Sequence, residues 1–140
     1  MKAWIAAVFL LSFGTDVRAQ KSLPEALQEI VTVKVFAFGG IGYAGTTSEG
    51  EADFRLIVAQ PPKVALEAFR KLYATNNPQA KAYALAGIRK LDKGAFKELQ
   101  ASWHGSSLTV RTEEGCIVSD ASLENIAERL DSGDYDAWVK

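Results

Sequence analysis

Apolar residues recur at helical spacing along most of the chain, and each such segment opens with a residue that favours a helix start. The sharpest stripe runs from Ala80 to Leu91, with apolar or small residues at positions i, i+3, i+4, i+7, i+8 and i+11. Serine, asparagine or aspartate caps and first-turn prolines mark the helix starts. The pattern predicts six helices, which begin at Ser22, Ser48, the Pro61–Pro62 pair, Asn77, Asp92 and Ser122.

Two other regions have the alternating pattern of β-strands. Residues 31–38 alternate with a period of two and are rich in β-branched and aromatic side chains, which predicts one strand. Further on, residues 108–110 and 116–118 are short strand candidates, and residues 112–115 between them suit a hairpin turn. The whole pattern predicts an α+β fold that is predominantly helical, with antiparallel helix pairs and a small antiparallel β element.

A glycine-rich segment lies between the first predicted strand and Ser48. Its glycines match G-x-G-x-x-G, the phosphate-binding pattern of dinucleotide folds, but the last one precedes the helix start. A helix junction at residues 60–63 stands where that fold needs a second strand with an acidic end. Two interpretations remain: glycines that permit positive φ or close packing, or a binding loop that presents Tyr43. The residues of this candidate binding loop are Gly39, Gly40, Gly42, Tyr43 and Gly45.

Residues 1–19 have the composition of a secretory signal peptide. A short positive start at Lys2 is followed by an apolar run over residues 3–13 and by small residues before a cleavage point after Ala19. As a helix, that run rises only about 16 Å, against about 30 Å of hydrocarbon in a bilayer. We therefore expect cleavage and export, to the periplasm or outside the cell, with residues 20–140 forming a single globular domain.

The charge and cysteine content limit the partners and the covalent chemistry. Without Lys2, Asp16 and Arg18, the exported part has 14 basic and 16 acidic residues, a net charge of −2. This balance predicts binding neither to nucleic acid nor to an anionic membrane. No apolar run after residue 19 approaches the length of a membrane span, so we expect no membrane insertion after signal cleavage. Cys116 is the only cysteine, which excludes an intramolecular disulfide.

No motif supplies a complete catalytic set. His104 and Cys116 are the only histidine and cysteine, and they form a weak candidate for a thiol–imidazole pair. Against this pair, the apolar surroundings of Cys116 predict a buried strand residue. Ser48 lies in a segment that approaches the nucleophile elbow G-x-S-x-G, but a helix N-cap explains it better.

Metal-binding patterns are also incomplete. His104 and Cys116 are twelve residues apart, which matches no usual zinc spacing. The acidic segment 131–136 departs from the pattern of a calcium loop. We therefore predict no metal and no cofactor. The remaining acid pairs, Glu49 with Glu51 and Glu113 with Glu114, are expected to be surface charges.

Two resemblances extend over parts of the chain. The stretch from Tyr83 to Asp92 has a seam of small residues and resembles the second helix of a HEAT-like repeat. One helix pair is too short for a solenoid, which needs about three repeats. Together, residues 38–45, 48–51 and 115–119 resemble small exported bacterial proteins of unknown role. That resemblance covers most of the chain after the signal peptide and implies no activity.

These observations favour a non-enzymatic binding or accessory protein of the cell envelope, whose partner is another envelope protein or a peptide. Tyr43 would then contribute to capture of the partner. The alternative is a small secreted hydrolase that uses Cys116 or Ser48 with His104. That alternative requires His104, because the chain contains no other imidazole.

Overall fold

Six helices and two antiparallel strand pairs make up the part of the chain that the computed structural model describes, residues 20–103 and 107–139. The predicted signal peptide and His104 lie outside these residues. The predicted fold class, α+β and predominantly helical, is confirmed. Within the described ranges, no helix has both the length and the apolar character that a membrane crossing requires. The elements are α1 Leu23–Ile30, β1 Gly40–Ile41, β2 Thr46–Thr47, α2 Glu49–Val58, α3 Pro62–Tyr73, α4 Pro78–Leu91, α5 Lys93–Ala101, β3 Thr109–Glu114, β4 Ile117–Ser122 and α6 Leu123–Ser132.

The predicted helix starts are confirmed, because each capping residue directly precedes its helix. At α1 the capping box is complete: the Ser22 hydroxyl accepts a hydrogen bond from the Glu25 amide, and the Glu25 carboxylate accepts one from the Ser22 amide. At α4 the Asn77 side chain accepts from the amides of Gln79 and Ala80. These local bonds satisfy donors that a helix start otherwise leaves unpaired.

Helix α4 is the centre of the hydrophobic core. The predicted stripe is buried as far as Ile88, but Ala82, Leu85 and Ala86 are buried as well, so the helix is enclosed on all sides. Small residues allow its neighbours to approach closely. The ring of Phe69 from α3 lies so near Gly87 that a Cβ atom there would be 2.3 Å from it. The one core cluster contains residues from all six helices.

The predicted strand over residues 31–38 is wrong. Among the residues that the structure describes, the segment forms only a single bridge, between Phe36 and Thr112 of β3. Side chains satisfy several of its other backbone groups: the Asn77 amide nitrogen donates to the carbonyls of Val31 and Val33, at 3.0 and 2.9 Å. The alternating burial also fails, because Phe36, Ala37 and Phe38 are all buried. Hydrogen bonds from another part of the core replace a strand ladder here.

The second strand region does form a hairpin, with a longer ladder and a later turn than predicted. β3 and β4 pair over six residues each, from Thr109 with Ser122 to Glu114 with Ile117. The turn consists of Gly115 and Cys116 instead of residues 112–115. Gly115 has a φ of +59° and occupies the position where a type II′ hairpin turn favours glycine. The turn geometry therefore places Cys116 at the hairpin tip.

We expect Gly87→Ala to destabilise the fold by about 1–3 kcal/mol, because the added methyl group overlaps the Phe69 ring. Gly94→Ala is the matched control: its Cβ would meet only Asp92 Oδ1, at 3.5 Å, so alanine should be neutral or stabilising by up to about 1 kcal/mol. Urea unfolding of both variants measures the difference. A Gly87→Ala protein as stable as the unsubstituted chain would contradict this packing.

Candidate binding site

The candidate binding loop is a small hairpin with a fully exposed aromatic tip. β1 and β2 pair antiparallel, Gly40 with Thr47 and Ile41 with Thr46. Gly42 and Gly45 have φ values of +65° and +61°, and a Cβ at Gly40 would lie 2.8 Å from the Gly45 carbonyl oxygen. The glycines therefore serve both positive φ and close packing, as predicted. Tyr43 lies between them with its side chain completely in solvent.

A buried carboxylate holds the base of this loop. Glu51 is only 1 % exposed, and its Oε2 accepts a hydrogen bond of 2.9 Å from the Gly39 amide. Its Oε1 accepts one of 3.0 Å from Nε of Arg55. The prediction that Glu51 is a surface charge is therefore wrong, whereas Glu49 is exposed as predicted. Because its carboxylate is directed to Gly39 and Arg55, Glu51 does not complete a capping box with Ser48 at the start of α2.

Ser48 and Tyr83 fix the same segment from inside the core. Ser48 caps α2 by accepting from the Glu51 amide at 3.1 Å, and its hydroxyl donates to the Ala37 carbonyl at 3.1 Å. The Tyr83 hydroxyl donates to that carbonyl at 2.8 Å and accepts from the Ala37 amide at 3.0 Å. Burial raises the pKa of Tyr83 to about 12, so the phenol keeps its proton for this bond at neutral pH. The buried, bonded Ser48 hydroxyl fits the predicted N-cap and not a nucleophile.

The tip of the loop meets the tip of the β3–β4 hairpin. The Gly42 amide donates to the Gly115 carbonyl at 2.8 Å, and Ile41 forms a bridge with Gly115. Cys116 is exposed, so its predicted burial in a strand is wrong. Cys116 lies in the two-residue turn instead of a ladder, and most of β4 is exposed along with it. The next residues are exposed too, and we call the set Tyr43, Cys116, Ile117 and Val118 the tip surface.

Residues of the C-terminal segment pack against the loop and the hairpin that form the tip surface. Tyr135 is buried, and the Trp138 indole lies against Gly39, where a Cβ atom would be 3.0 Å from its Nε1. Arg129 stacks over the Tyr135 ring and forms an ion pair of 2.7 Å with Glu114 of β3. The loop and the hairpin are therefore anchored to the same part of the core.

A cavity of about 440 Å³ lies on the other side of the loop, between α1, residues 32–35 and the start of α2. Asp53 lines it and is 1 % exposed. Lys21 forms an ion pair with Oδ1 of Asp53, whereas Oδ2 accepts no hydrogen bond from the described residues. Burial raises the pKa of Asp53 above its usual value, although the Lys21 ammonium opposes the shift.

The spacing of residues in α2 contains a signal that Asp53 is buried, which the predicted start of the helix alone does not reveal. Gly50, Asp53, Phe54 and Ile57 occupy positions i, i+3, i+4 and i+7, which form the buried face of α2. An aspartate on such a face is a buried charge, and a buried charge needs a partner. That partner is Lys21, which precedes α1 by two residues, so no local pattern links the pair.

The remaining candidate residues do not assemble into a described site. His104 lies outside the described residues, so its pairing with Cys116 stays a prediction. Among the residues that the structure describes, no three histidine, cysteine, aspartate or glutamate side chains are grouped so as to hold a metal ion.

We expect Cys116 in the folded protein to react with iodoacetamide nearly as fast as in the urea-unfolded chain, because the thiol is exposed at a hairpin tip. Mass spectrometry of intact protein over time measures both rates. Cys116→Ser should take up no label. Protection of the thiol until the protein unfolds would contradict the position of the turn.

Comparison with known proteins identifies no relative: the chain matches no protein-family model, no curated protein and no solved structure.

Proposed function

We propose that this chain is an exported, non-enzymatic binding protein of the cell envelope that captures an extended segment of another protein at the tip surface. The observation that carries the proposal is the complete exposure of Tyr43 on a loop whose base is held by buried hydrogen bonds. A large aromatic side chain on a fixed backbone contributes contact area to an interface at little entropic cost. Export rests on the predicted signal peptide.

The apolar character of the tip surface supports protein binding. Ile117 is 71 % exposed and Val118 is 54 % exposed, and both adjoin the turn that is hydrogen-bonded to the Tyr43 loop. Successive residues of a strand project to opposite faces, so Ile117 and Val118 give each face of the hairpin an exposed apolar side chain. Aromatic residues are also enriched among the residues that dominate binding energy at interfaces.

The outer edge of β4 favours an extended partner. Within the described residues, β4 pairs only with β3, so its other edge has free backbone donors and acceptors. Natural proteins often block such edges with charged residues or proline; Ile117–Ser122 contains no proline or lysine, and its one charge, Asp120, is paired with Arg111 of β3. A partner strand added here would gain main-chain hydrogen bonds from β4 and side-chain contacts from Ile117 and Tyr43.

Site-specific photocrosslinking in cells tests this proposal. A photoreactive residue at position 43 or 117 should give the same crosslinked protein, whereas one at position 64 on α3, which is also exposed, should not. Tyr43→Ala should weaken binding of the partner identified in this way by about tenfold, because it removes a central aromatic contact. Equal products from position 64, or unchanged affinity of Tyr43→Ala, would contradict the proposal.

The exposure of Cys116 keeps the thiol hydrolase as a second candidate function, since the predicted burial no longer opposes it. Cys116→Ser separates the two functions. Binding at the tip surface should survive this nearly isosteric change, whereas a thiol nucleophile would be lost. His104→Ala should likewise abolish activity only if the protein is that hydrolase.

A further inference from the structure

Among the described residues, only Lys21 pairs with the buried carboxylate of Asp53. Asp53 is 1 % exposed, and its Oδ1 accepts a hydrogen bond from Nζ of Lys21, which also contacts Oε2 of Glu29 at 2.6 Å. Removal of one member of a buried ion pair is strongly destabilising, because the other charge is left in a poorly solvated place. The stability of the fold therefore depends on the presence of Lys21.

Lys21 lies close to the predicted end of the exported chain. Cleavage after Ala19 makes Gln20 the N-terminal residue and Lys21 the second residue. The residue after Lys21 is already fixed, because Ser22 caps α1. Chain ends are trimmed by proteases unless they are held by burial or hydrogen bonds. Loss of the first two residues would remove the ammonium with which Asp53 pairs.

Gln20 itself is not held by the rest of the described chain. It is exposed, and among the described residues no hydrogen bond involves its backbone or its side chain. It lines a cleft of about 610 Å³ together with residues near the end of α2, such as Leu56, which leaves space around its side chain. The Gln20 amide is therefore free to rotate toward its own α-nitrogen.

We propose that Gln20 is a modification site, which cyclises to pyroglutamate after export and cleavage and thereby protects Lys21 from removal. The inference rests on the signal-peptide cleavage that the proposed function includes, and it does not depend on capture of a partner at the tip surface. An α-amine, unlike a lysine amine, is partly uncharged at neutral pH and can then act as a nucleophile.

The reaction needs no other reactant. The uncharged α-nitrogen of Gln20 attacks Cδ of its own side chain and closes a five-membered lactam. The new bond joins N to Cδ, the bond between Cδ and Nε2 breaks, and ammonia leaves with one proton from the amine. The product has no free α-amine, the group that an aminopeptidase binds, and it carries no terminal positive charge.

The first measurement is the intact mass of the exported protein. The full chain, including residues 1–19, is expressed in a secreting bacterium, and the exported fraction is followed by mass spectrometry for several days at neutral pH. We expect the mass of residues 20–140 less one ammonia. Gln20→Asn is the matched control: it keeps a primary amide at the chain end, but its cyclisation would need a strained four-membered ring. This variant should keep its ammonia.

The second measurement is the resistance of both proteins to an aminopeptidase of broad specificity. The unsubstituted protein should keep Lys21, whereas the Gln20→Asn protein should lose it and then unfold at lower urea. Lys21→Met gives the size of that effect: we expect its unfolding equilibrium constant to rise at least about tenfold, because Asp53 loses its partner. Lys34→Met, at an exposed cation, should change this constant by less than about threefold.

Two results would overturn this modification site alone. One is an exported protein that begins at Gln20 and keeps its ammonia. The other is a Gln20→Asn protein that resists the aminopeptidase as well as the unsubstituted protein does. Cleavage at a different bond, or no cleavage, would overturn the site together with the export that the proposed function assigns.

Discussion

The exchange of hydrogen bonds between the Tyr83 hydroxyl and the Ala37 backbone is the interaction on which the rest of the structure depends. It satisfies a buried amide and a buried carbonyl in a segment that has almost no strand ladder of its own. The Tyr83 ring also lies against Gly50 of α2 and packs edge-on to Phe36, with centroids 4.8 Å apart. One side chain of the central helix thus positions both the connecting segment and the helix that follows it. Low local dielectric strengthens such bonds and makes their loss costly.

Helix α2 connects this segment of the core to the exposed loop and to the cavity. Its cap, Ser48, shares the Ala37 carbonyl with Tyr83. One turn along the helix, Glu51 holds Gly39 at the base of the exposed loop, and Asp53 lines the cavity on the other side. Two carboxylates that are almost completely buried are costly in an interior, and each has a cationic partner, Arg55 or Lys21. The acids of this helix therefore connect the packing of the core with the exposed loop and with the wall of the cavity.

The sequence predicts the helices well and the irregular segments poorly, for a physical reason. Helix starts are local: the bonds that Ser22 and Asn77 make reach residues two or three positions away, so a short pattern contains them. The segment 31–38 has a strand-like pattern, but its backbone partners come from Asn77 and Tyr83, more than forty residues away. No local pattern reveals such partners.

The candidate sites show the same contrast between features that depend on local sequence and features that depend on distant residues. The glycine positions of the loop follow from local conformation, and the structure has them as the sequence predicts. Burial of Glu51 and exposure of Cys116 do not follow from their neighbours, because the first depends on the contact with Gly39 and the second on a strand, β4, that the core leaves almost entirely exposed. The Lys21–Asp53 pair joins residues 32 positions apart. A local sequence pattern cannot reveal a charge pair between residues that are so far apart in the chain.

The most direct test of the central claim is the stability and hydrogen exchange of Tyr83→Phe, with Tyr43→Phe as the control that removes an exposed hydroxyl. Loss of the Tyr83 hydroxyl should lower the free energy of unfolding by about 1–3 kcal/mol, because the Ala37 amide is left buried without a partner. Amide exchange at Ala37 and Gly39 should also accelerate relative to the amides of α4. Tyr43→Phe should change stability by less than about 0.5 kcal/mol. A Tyr83→Phe protein with unchanged stability and unchanged exchange at Ala37 would contradict the account.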